Sequence, residues 1–591
     1  MYNMKLALPF LFLASVLFAQ NVNNVPVIQI NDKVIRQQEF ADRLNGLPQI
    51  GGYSADEVKE NLICTLIAES ILSFEASKNK LDKTDHVRTL SDQYSNEALY
   101  EQWMDKEVRN PVRVSNDELK NAYKRFRQER IVEYWTSPNI SEARKISESV
   151  SKGLDTKDQP QLKKIDYGQS LESVEDLVYN LKEGGVSKPI LVDNLYYVFK
   201  LVKSSPHPKY SQQTFPYWMP TIEKIIRDRK EDAVLDKKFA QLMADKDFSI
   251  KKDAYNFLLD QLYPVIYDKN ELKYKQPEQI QTQLLAKEIR SENMFDRPLV
   301  IFKQGNQWTV KDLWQKLSVS PFPLNYKDPE DLKAGLVDLI RRTILFESVN
   351  DDARKKQYQN SDYVKNQSAM WNDNLLAKAL MSSYEKNINI SESDLLQRYE
   401  QVKDKNLKPE MRRIIPLFVK DRKLADDLLQ QIRSGADIID LAVKYSENKV
   451  GLSKTDPGVY IKKDYWGEVG KEAFNLKAGQ NSNVIVTNDT GFAIIKLVAI
   501  QGAAPYKYEE VRSQIEEVMK SETLQQQLNG LLQKTAKNYK VKIYRDAVKK
   551  VEYMGGNMGI KKTHFPLRNF VPTMPLFDHN AKWYKEIVSK N

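Results

Sequence analysis

Arg413-Ile-Ile-Pro-Leu-Phe-Val419, Ser434-Gly-Ala-Asp437, Asp456-Pro-Gly458, Glu472-Ala-Phe-Asn-Leu476, Lys477-Ala-Gly479 and Gly491-Phe-Ala-Ile-Ile-Lys-Leu497 punctuate one stretch, Glu410 to Gln501. Its first segment is rich in β-branched and aromatic residues and predicts a strand. Apolar spacing then predicts helices over 422–433 and 438–445, separated by Gly435-Ala-Asp437, with a third helix ending at Leu476. Val484-Ile-Val486 and Gly491 to Leu497 predict two further strands around the turn residues Asn488-Asp-Thr-Gly491. The order β-α-α-α-β-β describes a small α+β domain.

The same blocks carry a resemblance. Ser434-Gly-Ala-Asp437, Leu441-Ala442, Lys444-Tyr-Ser446, Ala473-Phe-Asn-Leu-Lys-Ala-Gly479 and Gly491-Phe-Ala-Ile-Ile-Lys-Leu497 resemble the parvulin peptidyl-prolyl isomerase domain in identity and order. The resemblance implies that fold and, where the site is intact, prolyl isomerisation. It also implies two facing histidines on the central strands and a slot of Met, Phe and Leu around the proline.

The histidine census tests that implication. The chain has four, His86, His207, His564 and His579, none of them between 410 and 501. By alignment to the family pattern, Pro416 and Ala493 take the two histidine positions. Tyr465 takes the place of the slot Met, Val469 that of the Phe and Pro457 that of the Leu. The expectation is a retained fold with weak or absent isomerase activity, leaving Tyr460, Tyr465, Val469 and Phe492 as candidate peptide-binding residues. Isomerisation at a site without histidine remains the alternative for an enzyme.

Outside this stretch the chain repeats itself. Val27-Ile-Gln-Ile-Asn-Asp-Lys-Val-Ile35 predicts a hairpin leading into a helix, and Val300-Ile-Phe-Lys-Gln-Gly-Asn-Gln-Trp308 repeats the plan 273 residues on. Phe74-Glu75 matches Phe346-Glu347, and Ser115 with Glu118 matches Ser391 with Asp394 at helix-capping spacing. Tyr179-Asn-Leu-Lys-Glu-Gly184 and Tyr197-Val-Phe-Lys-Leu201 match Phe474 to Gly479 and Ala493 to Leu497, so 130–203 reads as a shortened second parvulin-like domain, with Tyr134 and Tyr197 at the histidine positions. A helix closes each copy, and Phe248-Ser-Ile250 or Val541-Lys-Ile543 then predicts a strand returning to the opening hairpin.

The fold class expected is therefore α+β and multidomain: mostly helical chaperone lobes with two inserted parvulin-like domains, tandemly duplicated. The layout places a signal peptide over 1–19 and a first lobe with its hairpin over 25–129. The degenerate domain over 130–203 and a closing helix and strand over 204–254 follow, then a linker over 255–297. The second lobe takes 298–408, the second parvulin-like domain 409–501, its closing elements 502–550 and a basic aromatic tail 551–591. Module order and the Ile30–Ile35 opening resemble the extracytoplasmic foldases typified by SurA and PrsA. That resemblance implies a chaperone whose partners are unfolded or nascent exported polypeptides, outer-membrane proteins among them.

Composition is consistent with this. Hydrophobic residues make up 41% and charged residues 29% of 591, ordinary for a soluble multidomain protein. Lys5 followed by the apolar run Leu6 to Phe18 and Ala19 reads as a signal peptide cleaved near Ala19, with the periplasm as destination. Of the net charge of +10, the segment from Val541 onward holds ten basic against four acidic residues, or +6. This tail is a candidate for peripheral contact with an anionic membrane; export argues against nucleic acid. A scaffold role in an envelope assembly, docked through the tail, is a further alternative. A single cysteine, Cys64, excludes an internal disulfide and any multi-cysteine metal site. No phosphate loop or paired-histidine motif occurs, so no cofactor or metal is expected.

Overall fold

The computed structural model describes residues 25–47, 53–268, 274–286, 294–322, 324–487, 491–553, 572 and 574–590. The expected signal peptide at 1–19 lies outside the described residues. The chain divides into two compact units, one of Met1–Leu380 with Thr535–Asn591, the other of Met381–Lys534. Among the described residues no helix is long and apolar enough to cross a membrane.

In the first unit, β1 (Pro26–Ile30) and β2 (Lys33–Arg36) form a hairpin. Asn31 at its turn has φ 52°, a left-handed conformation asparagine tolerates. The helix α1 (Gln37–Asn45) leads to α2 (Ala55–Lys78), which starts on a Ser54/Glu57 capping box and has buried residues on nearly every face. Next come α3 (Asp85–Met104) and α4 (Asn116–Phe126), the latter capped by Ser115 and Glu118. A first antiparallel sheet follows, built from β3 (Gln128–Ser137), β4 (Gln161–Asp166), β5 (Ile190–Val192) and β6 (Leu195–Pro206) in the order β4-β3-β6-β5. It carries α5 (Ile140–Ser151) and α6 (Glu172–Tyr179).

The chain continues through α7 (Phe215–Met243), β7 (Phe248–Ile250), α8 (Lys252–Ile266) and α9 (Pro277–Ala286). A second hairpin, β8 (Pro298–Phe302) and β9 (Gln307–Thr309), precedes α10 (Val310–Ser318), α11 (Pro329–Lys355) and α12 (Asp362–Glu385). Tyr94 of α3 and Trp371 of α12 stack on each other, centroids 4.2 Å apart.

In the second unit, α13 (Glu392–Val402) and the short pair β10 (Leu407–Lys408) with β15 (Ala504–Pro505) flank another four-stranded sheet. Its strands are β11 (Met411–Val419), β12 (Val459–Ile461), β13 (Ile485–Val486) and β14 (Phe492–Gln501), in the order β12-β11-β14-β13. Three helices accompany it: α14 (Arg422–Arg433), α15 (Ile438–Tyr445) and α16 (Glu468–Asn475), before α17 (Tyr508–Thr535). Pro416 sits within β11 without penalty because β12 pairs only with Arg412 to Ile414, so no ladder bond is wanted from residue 416 on that side. After α17, β16 (Val541–Ile543) and α18 (Arg545–Lys549) belong again to the first unit, as does α19 (Lys582–Val588).

Three sequence expectations change. First, neither closing strand returns to the hairpin of its own copy. The strand β7 pairs with β8 (Ile250 opposite Val300), and β16 pairs with β1 (Ile28 opposite Ile543). The reason lies in α7, whose Val234, Leu235, Phe239 and Leu242 pack against α3 and against Phe346 and Val349 of α11, which sets its end beside the second hairpin. Second, the described parts of 255–297, expected as a linker, are packed into a core. Leu258, Leu259, Leu262 and Ile266 of α8, Leu284 of α9 and Phe295 share one core with Leu313, Trp314, Leu332, Leu336 and Ile340. Third, the tail, expected only as a basic aromatic segment for outside contacts, packs its aromatics inward where it is described: Phe577, Trp583 and Tyr584 are at most 2% exposed.

The first lobe also buries charge. Arg43 forms a bidentate pair with Glu69 (3.1 and 2.8 Å), each side chain 3% exposed, and Asn374 Nδ2 donates to the same carboxylate at 3.0 Å. Arg43→Ala would strand the Glu69 carboxylate and should destabilise the first unit by about 3–5 kcal/mol in denaturant unfolding. Nearby, burial raises Glu39 from 4.5 to about 7, against the lowering pull of Lys33 and Arg43. Between those pH values the folded chain holds a proton that the unfolded chain releases. This contribution is thus complete below pH 4.5 and lost as pH rises towards 7. Glu39→Gln should flatten the fall in stability over that window, read from Tm against pH.

Candidate functional site

The family motifs of the second sheet turn out to be backbone devices. Ser446 Oγ accepts from the Phe418 N–H at 3.0 Å and donates to Asn448 O at 2.7 Å, tying the end of α15 to β11. Gly479, at φ 86°, turns the chain so that its N–H reaches Leu497 O at 2.7 Å. Ser482 then brackets Ile495 with two bonds, N–H to Ile495 O at 2.8 Å and Oγ accepting from Ile495 N–H at 3.0 Å. The first sheet repeats the arrangement: Gly184 N–H to Leu201 O at 2.7 Å, Ser187 N–H to Phe199 O at 2.7 Å, and Ser187 Oγ accepting from Phe199 N–H at 2.9 Å.

Alternation along β11 and β14 separates two faces. Ile415, Leu417, Val419 and Ile494 pack with α14 and α15. Ile414, Ala493, Ile495 and Leu497 pack with Val469 and Ala473 of α16, with Phe418 and Trp466 at the margin. Phe418 lies opposite Ala493 and Pro416 opposite Ile495, so both expected histidine positions belong to this second face. Both are enclosed and carry no ionisable group.

The four candidate residues do not form one site. Tyr465 is half exposed and lies 4.9 Å from Trp466, which meets Phe418 edge-on at 5.1 Å. Val469 is fully buried and is part of the core beneath them. Phe492 packs on the opposite face, with the Arg422 guanidinium 5.5 Å from its ring. Tyr460 pairs with Arg413 on the edge strand, alternate to the core residues Val459 and Ile461, and receives the Arg413 guanidinium at 5.7 Å. Period-2 alternation within β12 and β14 was the signal that separates Tyr460 and Phe492 from Tyr465.

Trp466 was missed by counting alone. It has φ 57°, rare for a bulky side chain, and Gly467 follows at φ 57°. Gly470 explains the tight path: a Cβ there would lie 2.3 Å from Tyr465 O and 2.5 Å from Lys463 O. The site that remains is an aromatic shelf of Phe418, Tyr465 and Trp466 above Ala493. It can hold a ring or an apolar side chain, and Ala493 beneath it carries no side-chain proton donor.

In the first sheet an aromatic cluster takes the equivalent place. Tyr134 stacks on Tyr197 at 5.9 Å, Tyr197 on Phe199 at 6.0 Å, and Tyr134 OH donates to Gln161. His207, just past the expected end of that domain, folds back onto it through His207 N–H to Arg127 O at 2.8 Å. It lies ten residues along from Tyr197, on the order of 30 Å of extended strand, and restores nothing there. With Glu129 and Asp166 it forms the one carboxylate-imidazole cluster among the described residues with ligand atoms close enough for a metal. The residues do not fit one. Lys164 Nζ already bridges Glu129 (2.5 Å) and Asp166 (3.4 Å). His207 Nδ1 accepts from Lys209 N–H and Tyr210 N–H at 3.1 and 3.0 Å, which leaves the proton on Nε2, the nitrogen facing Asp166.

Comparison with known proteins agrees with this geometry. Residues 390–513 match the family model of the PPIC-type PPIASE domain, which contains β11 to β14 and α14 to α16. The second sheet and its helices therefore match a parvulin-type domain. The chain is 27% identical over 216 residues to the foldase protein PrsA of Caldanaerobacter subterraneus subsp. tengcongensis, covering 34% of this chain and 66% of that protein. It is 30% identical over 178 residues to PrsA of Bacillus subtilis, covering 30% and 53% respectively. It thus spans between half and two thirds of the length of these relatives. Among solved structures, a SurA-like chaperone of Campylobacter jejuni is 17% identical over 41% of this chain and 98% of its own, with a TM-score of 0.25. PrsA from Bacillus subtilis is 19% identical over 44% of this chain and 90% of its own, with a TM-score of 0.16.

The geometry separates two substitutions. Tyr465→Ala should weaken binding of a proline-containing peptide by about 1 kcal/mol and leave Tm unchanged. Val469→Ala should do the reverse, costing about 2 kcal/mol of stability with little effect on the peptide. Titration calorimetry and thermal unfolding of the same samples check both.

Proposed function

We propose that the chain is an exported chaperone that holds unfolded polypeptides, and that its parvulin-type domain keeps its packing while giving up most or all isomerase chemistry. The observation that carries this is the occupancy of the two histidine positions by Pro416 and Ala493, both buried. Rotation about a prolyl bond meets a barrier of roughly 18–20 kcal/mol. Lowering it needs groups aimed at the amide as it twists. An aromatic shelf without such groups binds proline segments and leaves the barrier standing.

Lys5 and the apolar run Leu6 to Phe18 support export, with the periplasm as the compartment. The shared sheet order and the paired Gly184/Gly479 and Ser187/Ser482 devices support descent of both sheets from one plan. Exposed Lys582, Lys585 and Lys590 keep an anionic surface within reach of the tail.

The test uses the full chain in two assays. Without an energy source, stoichiometric excess should suppress aggregation of an unfolded β-barrel protein. Isomerisation of a short Xaa-Pro peptide should stay within about twofold of its slow spontaneous rate. Failure to suppress aggregation overturns the chaperone reading, and a clear rate enhancement overturns the loss of catalysis in favour of a site without histidine.

A further inference from the structure

The C-terminal segment makes an unusual contact with α2. Phe577 N–H donates to Thr65 Oγ1 at 2.9 Å, and His579 N–H donates to Asn61 Oδ1 at 3.1 Å. The Cys64 thiol lies 3.6 Å from the Asp578 carbonyl oxygen. Thr65 spends its own hydroxyl proton on Asn61 O at 2.7 Å, so its lone pairs face the incoming segment. Glu60 accepts from Tyr584 OH and from Arg545. Phe577 is completely buried, Trp583 is 2% exposed and Ile587 8%. Two acceptors on α2 thus take main-chain N–H groups of the segment, one at Phe577 and one in the turn at His579, whose Nδ1 also lies 2.7 Å from Asn61 Oδ1, while aromatic side chains anchor it. Main-chain recognition of this kind tolerates many sequences.

The second lobe shows what a permanent joint looks like at the same place. By the Phe74/Phe346 correspondence, Glu60, Asn61, Cys64 and Thr65 fall on Leu332, Lys333, Leu336 and Val337 of α11. There Leu332 and Leu336 pack against the leucines of α8, a fifteen-residue helix. Opening that contact would expose apolar surface on both sides. On α2 release of the segment uncovers its own Phe577, Trp583 and Tyr584, but the acceptors it leaves behind are a carboxylate, an amide and a hydroxyl, all of which water satisfies. The segment joins no sheet, and α19, at seven residues, is too short to be helical without its support.

We propose that the Glu60–Thr65 face of α2 is a polypeptide-binding site which the chain's own Met574–Ile587 segment occupies in exchange with an unfolded client. The client segment would present an aromatic side chain with free main-chain N–H groups beside it, followed by further aromatics. The proposal rests on the reading that the chain holds unfolded polypeptides, and it names where.

Cys64 is the only cysteine and reports the exchange directly. It is fully covered, and burial pushes its thiol well above the usual range, so alkylation needs the segment to leave. The experiment measures iodoacetamide modification of Cys64 in the full chain, with and without fluorescent, reduced and carboxymethylated α-lactalbumin, whose own thiols are blocked. Binding is followed in parallel by anisotropy. Modification should accelerate at least about tenfold at saturation, as expected when ligand shifts a covered site to its open form. A synthetic peptide of residues 572–591 should produce the same acceleration and compete with the α-lactalbumin. Thr65→Val, which removes one acceptor from the segment, should raise the basal rate without added polypeptide. Saturating client with an unchanged Cys64 rate overturns this site and leaves the chaperone reading intact. Absence of client binding overturns both.

Discussion

A two-stranded hairpin is marginal in water, and two such hairpins open the two lobes of this chain. Each becomes a sheet only through a third strand, β7 on β8 and β16 on β1. The donated strands do more than pair. Asn31, at the tip of the first turn, gives its N–H to Lys540 O at 2.8 Å and accepts from Lys540 N–H at 2.9 Å. The turn that aims α1 is thus fastened to the strand that closes the sheet. In the second lobe β7 also delivers α8 to the core around Trp314 and Leu336. Remove either strand and the lobe loses an edge together with the segment that follows it.

On this shared frame the two lobes solve burial differently. The second relies on leucine and isoleucine along α8 and from Leu332 to Ile344 of α11, each fully buried side chain contributing about 1.5–3 kcal/mol. The first places Arg43, Glu69, Thr65 and Asn61 inside, every one with a partner, and Glu69 also accepts from Asn374 of α12. Such networks stabilise less per unit area than apolar contact, yet they can be rehydrated. The lobe with the polar interior is also the one whose C-terminal cover is held by hydrogen bonds to side chains.

Much of the second sheet was legible in the sequence because its motifs are local. Gly479 needs a left-handed backbone, Ser446 and Ser482 satisfy particular N–H groups, and Ser115 with Glu118 caps a helix three residues away. Pro416 and Ala493 were legible for the same reason, since a strand register needs only counting. What counting could not reach was non-local. The strand Phe248–Ile250 reads equally well beside either hairpin, and only the packing of α7 chooses. The apolar spacing of α8 announces a helix without saying what it covers. Phe492 and Tyr460 were grouped with Tyr465 by nearness to family positions, although the alternation of their own strands turns both away. The aromatics at the end of the tail, which pack against α2, are silent in the sequence on where they go.

The separation of 509 residues between Asn31 and Lys540 has a consequence for how the protein is made. A chain appearing from its N-terminus at about 5–20 residues per second would present the first hairpin roughly 25 to 100 s before β16 exists to pair with it. For that interval β1 offers an open edge, the kind that recruits stray strands. The second lobe meets no such delay, since β7 precedes its hairpin in the chain. The first lobe to be synthesised is therefore the last to be completed.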